Sequence, residues 1–282
     1  MHLSLSSAER FLAGFHDADP GVTSRVFADL PALMSGAAFA SSYECLAGVV
    51  QPGPATVVDL ACGDGFLLSL LAARQPGELT LTGVDISRGE LDAARRRLGP
   101  GPVLHQARAQ ALPLPDACAD YVLCHMALML MDDAPRALAE ARRVLRPGGV
   151  FAAVVGASAA ASSPRDVFIS LLRQYRRLPE FESLRLGDRR IHTPERIAEL
   201  FQPHFDPPVV EDIVLRQSCG PADCWAWFGS MYDLAWFGPQ DRAEFERRFI
   251  ETVRPLCDAD GQLQHSVGLL RITAGVPAAL PQ

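Results

Sequence analysis

The chain has 282 residues, of which 49% are hydrophobic and 21% charged, and its net charge is −7. That length can bury a full core and suits one large domain with additions better than two equal ones. The acidic balance leaves no footprint for nucleic acid or an anionic membrane, and no apolar run approaches the ~20 residues that a spanning helix needs. The start, Met1-His2-Leu3-Ser4-Leu5-Ser6, lacks the basic opening of a secretory signal. Seven cysteines, an odd number in a chain too large to need disulfide staples, point to reduced thiols and a cytoplasmic setting. Cys219 and Cys224 lack C-x-x-C spacing and read as small buried hydrophobes, so no metal is expected. All 26 basic residues are arginine, with no lysine and no asparagine, a pattern that points to a GC-rich bacterial genome and says nothing of mechanism.

In chain order, Ser6-x-x-Glu9 is a capping box that predicts a short helix over 7–15, apolar at 8, 11, 12 and 15. After the turn Asp19-Pro20-Gly21, a second short helix is expected over 23–29, before Pro31. This N-terminal segment, 1–42, either lies over a ligand as a lid or packs simply on the core. Ser41-x-x-Glu44 is a second capping box; its helix carries Tyr43, Leu46, Val49 and Val50 and stops at Pro52-Gly53-Pro54.

The next stretch organises the rest. An apolar strand, 56–60, meets Asp59, turns through Gly63 and Gly65, and enters an apolar helix from Phe66 to about position 75. Strand, glycine turn and helix open a nucleotide-binding βαβ unit, and glycine lets the backbone turn sharply against a ligand. A second strand, 79–84, ends at Asp85, about twenty residues past the glycines, where a carboxylate can accept both hydroxyls of a ribose. Ser87-x-x-Glu90 is a third capping box, opening a helix to Leu98 whose arginines 95–97 read as a solvated end. Strand 103–106 leads into the loop 107–116. Strand 120–124 runs into His125 and the methionines 126, 129 and 131, at the strand end where ligands sit in such sheets. His125 there is a cofactor contact, a general base, or a satisfied core histidine. Asp132-Asp133-Ala134-Pro135 starts a helix that ends at Arg146-Pro147-Gly148-Gly149, before strand 150–155.

Residues 157–192 read as an insertion with a helix over 165–178. Seven arginines stand there against four acids, which fits either a solvated helix face or reception of an acidic substrate or a phosphopantetheine carrier. Thr193-Pro194-Glu195 starts a helix to Phe201, and strand 209–216 follows. Trp225, Phe228, Tyr232 and Trp236 fall on one face at helical spacing, as core or as a substrate-pocket wall. A helix over 242–253 and a last strand, 267–274, precede a frayed tail, 275–282.

The form D-L-A-C-G-D-G at 59–65 resembles motif I of the class I S-adenosylmethionine-dependent methyltransferases. Val-Asp-Ile-Ser at 84–87 looks like that family's second motif, and Leu-Arg-Pro-Gly-Gly at 145–149 looks like its turn before strand five. Together they cover roughly 43–156, and within the family they are most similar to the small-molecule, ubiquinone-pathway type. The resemblance implies an α/β fold: a doubly wound, Rossmann-like, seven-stranded, mostly parallel sheet whose last strand is antiparallel and at the edge. It implies a domain over 43–274, with 157–192 and 217–262 as a substrate cap. S-adenosylmethionine is the cofactor it implies, with S-adenosylhomocysteine as product. Asp59, Leu60, Ala61, Gly63 and Gly65 would hold the methionyl end and Asp85 the ribose. Ile86 would pack on the adenine, with Ala109 and Gln110 at its ring edge, and Tyr43 and His125 would border the cofactor. The loop departs from the family at Arg108, where an aspartate commonly accepts the adenine amino group. The expected activity is methyl transfer to a small O- or C-acceptor in biosynthesis; the alternative is a cofactor-binding protein of this fold that transfers no methyl.

Overall fold

Central strands of a parallel sheet are buried on both faces and so carry continuous apolar runs rather than alternation. β3 (Ala55–Leu60), β4 (Leu79–Asp85), β6 (Ala119–His125) and β7 (Leu145–Gly156) have this character, with Val57, Val58, Leu123 and Phe151 buried. The computed structural model describes residues 5–157, 163–175 and 186–277. One nine-stranded sheet orders its strands β2-β1-β8-β9-β7-β6-β3-β4-β5. β5 (Val103–Gln106), β4, β3, β6 and β7 pair in parallel, while β9 (Leu263–Gly275) runs antiparallel to both β7 and β8 (Val209–Cys219).

The last strand is therefore antiparallel as expected but not at the edge. It lies between β7 and β8, because β8 and β9 form one long hairpin-like ladder from Val209↔Thr273 to Cys219↔Leu263. The edge instead carries two strands absent from the sequence reading, β1 (Ala32–Met34) and β2 (Ala37–Phe39). Each is three residues long and gives no periodicity to read; Ser35 and Gly36, both at positive φ (50° and 81°), make the tight turn of a hairpin.

Helices cover both faces of this sheet. α3 (Ser42–Ala47), α4 (Phe66–Arg74) and α5 (Arg88–Leu98) lie on one; α6 (Ala134–Val144) and α8 (Pro194–Phe201) bury Leu138, Phe201 and their neighbours on the other. Ahead of them α1 (Ser7–Ala18) keeps both halves of its capping box, and α2 (Val22–Phe27) follows. Ser41 and Ser87 cap their helices on the Glu44 and Glu90 N–H groups, but neither glutamate closes the box: Glu44 bonds Arg74, and Glu90 leaves for the N-terminal segment. Thr193 precedes its helix with no side-chain cap bond.

Beyond β7 the two insertions share one aromatic cluster. α7 (Ser163–Tyr175) comes from the first; α9 (Pro221–Gly229) and α10 (Pro239–Val253) come from the second. Phe168, Phe228, Phe245 and Phe249 are fully buried among them, with Phe168 and Phe228 stacked at 4.9 Å. Burying each such ring contributes about 2 kcal/mol. The single helical face expected over 225–236 does not form. α9 ends at Gly229 and a 3-10 turn, Tyr232–Leu234, sends Tyr232 and Trp236 elsewhere. Positions 176–178 of the expected first insertion helix lie outside the described residues, as does 278–282 of the tail. The tail's first residues are not frayed: Val276 N–H donates to the Gly149 carbonyl at 2.8 Å.

Gly65 sets the angle between β3 and α4. Its φ is +77°, and a Cβ there would stand 2.9 Å from Leu98 Cδ1 and 3.1 Å from Ala94 Cβ. Gly65→Ala is expected to lower stability by about 2 kcal/mol, from backbone strain and overpacking together. A denaturant midpoint unchanged from the parent would show that the turn has slack that this geometry denies.

Candidate functional site

The glycine turn and the end of β4 are tied by one carboxylate. Asp85 Oδ2 accepts the Gly63 N–H at 2.9 Å and Oδ1 accepts the Ser87 N–H at 2.8 Å. Each oxygen keeps a lone pair toward the pocket, enough for one ligand hydroxyl apiece. Burial pushes the Asp85 carboxyl up from its ordinary value, and the two backbone bonds oppose that rise. Asp59, 1% exposed at the end of β3, is pushed up further, first by burial and then by the charges of Asp85 and Asp64. Its Oδ2 is buried without a hydrogen-bond partner. Such an atom is costly in a folded core and marks a place for a donor, such as an ammonium.

One pocket gathers Tyr43, Asp59, Leu60, Ala61, Gly63, Asp85, Ile86, Ala109, Gln110 and His125. Gly65 is not on its wall; its role is the turn and the packing against α5. Ala61 and Met126, both on this wall, hold φ of 60° and 55°, a strained region for residues with a Cβ and one that clusters at functional sites. The His125 ring stacks on Tyr43 with centroids 3.6 Å apart, and its Nε2 meets Ser42 Oγ at 3.0 Å. Nδ1 is buried without a partner, and burial lowers the imidazole to about 3. His125 is therefore neutral at working pH, which argues against a strong general base and for a neutral hydrogen-bonding group.

Arg108 does not point to solvent. Its Nε donates to Glu9 Oε1 at 2.8 Å, so the position that departs from the family pattern fastens α1 to the loop after β5. The Gln110 amide N–H donates to Asp132 at 3.3 Å, and its backbone carbonyl accepts from Arg136. Arg97 is not a solvated helix end either; it pairs with Asp64 in the glycine turn and lies 5.3 Å from the Phe66 ring centroid. Of the insertion's arginines, Arg176, Arg177 and Arg185 lie outside the described residues. Arg165 and Arg173 line no described cavity, and Arg190 pairs with Asp188.

The sequence reading missed a second set of residues on the same wall, Glu9, His16, Gly21, Ser24 and Glu90, and they are joined there by Tyr232, which it had read as core or as a substrate-pocket wall. His16 Nδ1 lies 2.8 Å from Glu90 Oε1, and its Nε2 lies 2.8 Å from the Tyr232 hydroxyl. Glu90 Oε2 accepts the Gly21 N–H at 2.8 Å, and Ser24 Oγ donates to Asp64 at 2.7 Å. The signal for Glu90 was present in the capping-box motif, but the motif assigned its side chain to the helix. His16 and Tyr232 carried no local signal of being partners 216 residues apart.

An apolar cavity of about 300 Å³ adjoins this pocket, lined by Phe15, Val26, Phe27, Met129, Trp227 and Leu269 among others. Thr23, Met126, Leu130 and Tyr232 belong to both walls. Among the described residues, no group of three or more His, Cys, Asp or Glu is placed to hold a metal ion.

Residues 58–153 match the family model described as a methyltransferase domain. The chain is 40% identical over 100 residues to a demethylmenaquinone methyltransferase of Symbiobacterium thermophilum, a match covering 34% of this chain and 40% of that protein. It is 39% identical over 108 residues to a malonyl-acyl-carrier-protein O-methyltransferase of Methylococcus capsulatus, covering 37% of this chain and 39% of that one. The matches thus span about two fifths of these relatives. Among solved structures, the 4+2 cyclase SpnF aligns over 99% of this chain and 100% of its own, with a TM-score of 0.58 and 17% identity, a likeness of fold.

Because the folded Asp59 carboxyl titrates above its unfolded value, its ionisation subtracts stability as pH rises above about 4, the unfolded value. Asp59→Asn is expected to stabilise the ligand-free protein by about 1–2 kcal/mol at pH 8. Denaturant titrations across pH should show the gain shrinking toward pH 4, where both states protonate. A destabilised variant at pH 8 would mean that the carboxylate is satisfied within the fold.

Proposed function

From a chain whose residues 58–153 place it in the class I S-adenosylmethionine-dependent methyltransferase family, we propose that it transfers a methyl group from S-adenosylmethionine to a small-molecule acceptor. The observation that carries this reading is the pairing of two buried acids at adjacent strand tips. Asp85 is fixed by two backbone N–H groups with lone pairs to spare, and Asp59 has an oxygen without a partner. A nucleoside carrying an amino-acid tail matches that donor and acceptor set: ribose hydroxyls on Asp85, the tail's ammonium toward Asp59. Gly63, at φ 53°, presents its backbone beside them with no side chain in the way. Leu60, Ala61, Ile86, Ala109 and Gln110 would enclose the nucleoside and its tail, with Tyr43 and His125 bordering the tail's end.

The sulfonium of that cofactor is an already activated methyl donor. The work left to the protein is to hold the acceptor in line and exclude water, which can supply several kcal/mol. Tyr43 and His125, stacked on each other, and the N-terminal residues Leu12, His16 and Thr23 all line that pocket. An O- or C-acceptor is consistent with the adjoining apolar cavity, and a role in biosynthesis fits that acceptor class. A carrier-bound acceptor is supported by the name of one relative, matched over 39% of its length. No helix of the described residues is long and apolar enough to cross a membrane, which accords with a cytoplasmic enzyme in a bacterium.

A second reading, cofactor binding without methyl transfer, is favoured by the neutral, weakly basic His125 at the place where a strong base was sought. Calorimetry with S-adenosylhomocysteine should give a clear binding isotherm, and Asp85→Ala should weaken it at least tenfold, or about 1.4 kcal/mol. Transfer of labelled methyl to a component of a bacterial small-molecule extract supports the first reading. Tight binding with no transfer supports the second, and no heat in the parent protein sinks both.

A further inference from the structure

The His16, Glu90 and Tyr232 side chains come from three separate elements: the N-terminal helix α1, α5 and the 3-10 turn after α9. Glu90 is 2% exposed and, as a carboxylate, can only accept hydrogen bonds. The proton of a neutral His16 therefore sits on Nδ1, toward Glu90. That leaves Nε2 as an acceptor, and the Tyr232 O–H donates to it. Burial, then the charges of Asp85 and Glu90, push the Tyr232 phenol up, so it is protonated and able to donate. Its oxygen retains lone pairs, and its ring stands on the wall shared by the cofactor pocket and the apolar cavity. Among the described residues, that cavity's wall carries no arginine or histidine, and Asp233 is its charged member.

We propose that the cavity takes a neutral, apolar acceptor bearing a hydroxyl, and that Tyr232 accepts this hydroxyl's proton while passing its own to His16, held by Glu90. The inference rests on the methyl-transfer reading above and adds the acceptor class and the route of the proton. The acceptor oxygen bonds the methyl carbon as the carbon–sulfur bond breaks and sulfur keeps the electron pair. The oxygen's proton moves to Tyr232, Tyr232's proton moves to His16 Nε2, and the resulting imidazolium rests against the Glu90 carboxylate. Charge is conserved: a sulfonium is lost and an imidazolium forms. Tyr232 is the catalytic residue in this scheme; His16 and Glu90 act through it. An anionic acceptor would enter a wall with no cation to pair it, at a desolvation cost of several kcal/mol.

The probes are 2-naphthol and its carboxylate counterpart 2-naphthoate, titrated by calorimetry into protein saturated with S-adenosylhomocysteine. 2-Naphthol should bind at least tenfold more tightly than 2-naphthoate. Gly156→Leu should abolish that binding while the S-adenosylhomocysteine isotherm stays within threefold. Gly156 lines the apolar cavity and not the adjoining cofactor pocket, and a Cβ there meets nothing within 4 Å. Equal or tighter binding of the naphthoate, or naphthol binding that survives Gly156→Leu, overturns the acceptor class.

The proton route is read from methylation of 2-naphthol against pH. Tyr232→Phe and His16→Asn should lower kcat about 100-fold at pH 7, with the KM for the cofactor within threefold. The loss should shrink below about tenfold near pH 10, where a phenol like that of tyrosine ionises by itself. The charged groups facing His16 are Glu90 on α5 and Asp85 at the end of β4, with Asp17 next to it on α1 bound to Ser87. A loss that is the same at pH 7 and pH 10 marks a structural contact and overturns the route. Absence of any S-adenosylhomocysteine heat removes the methyl-transfer reading itself, and this inference with it; heat without naphthol preference removes the inference alone.

Discussion

A buried carboxylate held by two backbone N–H groups is the constraint on which the site depends. Asp85 joins the Gly63 turn to the start of α5, and so fixes the distance between the tips of β3 and β4. Burying this acid and Asp59 opposes the folded state, because desolvation disfavours the charge on each and Asp85 adds its own charge against that of Asp59. The sheet absorbs that cost with long apolar runs in β3, β6 and β7. A fold that spends stability in one small region is behaving as ligand sites generally do.

The insertions and the N-terminal segment are fastened in two different ways. The cluster of α7, α9 and α10 has a core of its own, with four fully buried phenylalanines, and would lose several kcal/mol if pulled apart. The N-terminal segment combines buried apolar side chains, Leu12, Val22 and Phe27 among them, with polar bonds: Glu9 with Arg108, Asp17 with Ser87 and Gly89, His16 and Gly21 with Glu90, and Ser24 with Asp64.

Arg108 shows how a departure from a pattern acquires meaning only in three dimensions. As a single substitution it removes an expected adenine contact. In the structure it is one of the clasps of α1, and the partner it finds, Glu9, also closes that helix's capping box. The same doubling occurs at Glu90, which sits in a capping motif yet bonds the segment that covers the site.

The sequence alone determined the strand–turn–helix at 55–74, the acids at 59 and 85, the seven longer strands and most helices, because each rests on local periodicity, turn chemistry or spacing. Most of the residues it singled out line one pocket, since strand tips in such a sheet converge on one side. What only the tertiary structure decided were the contacts between distant segments. The antiparallel strand lies inside the sheet because β8 pairs with it along its whole length. Tyr232 leaves the aromatic face because the helix stops at Gly229. His16, Glu90 and Tyr232 meet because three elements pack at one point. Periodicity records which face of an element is buried; it holds no information about which distant side chain waits there.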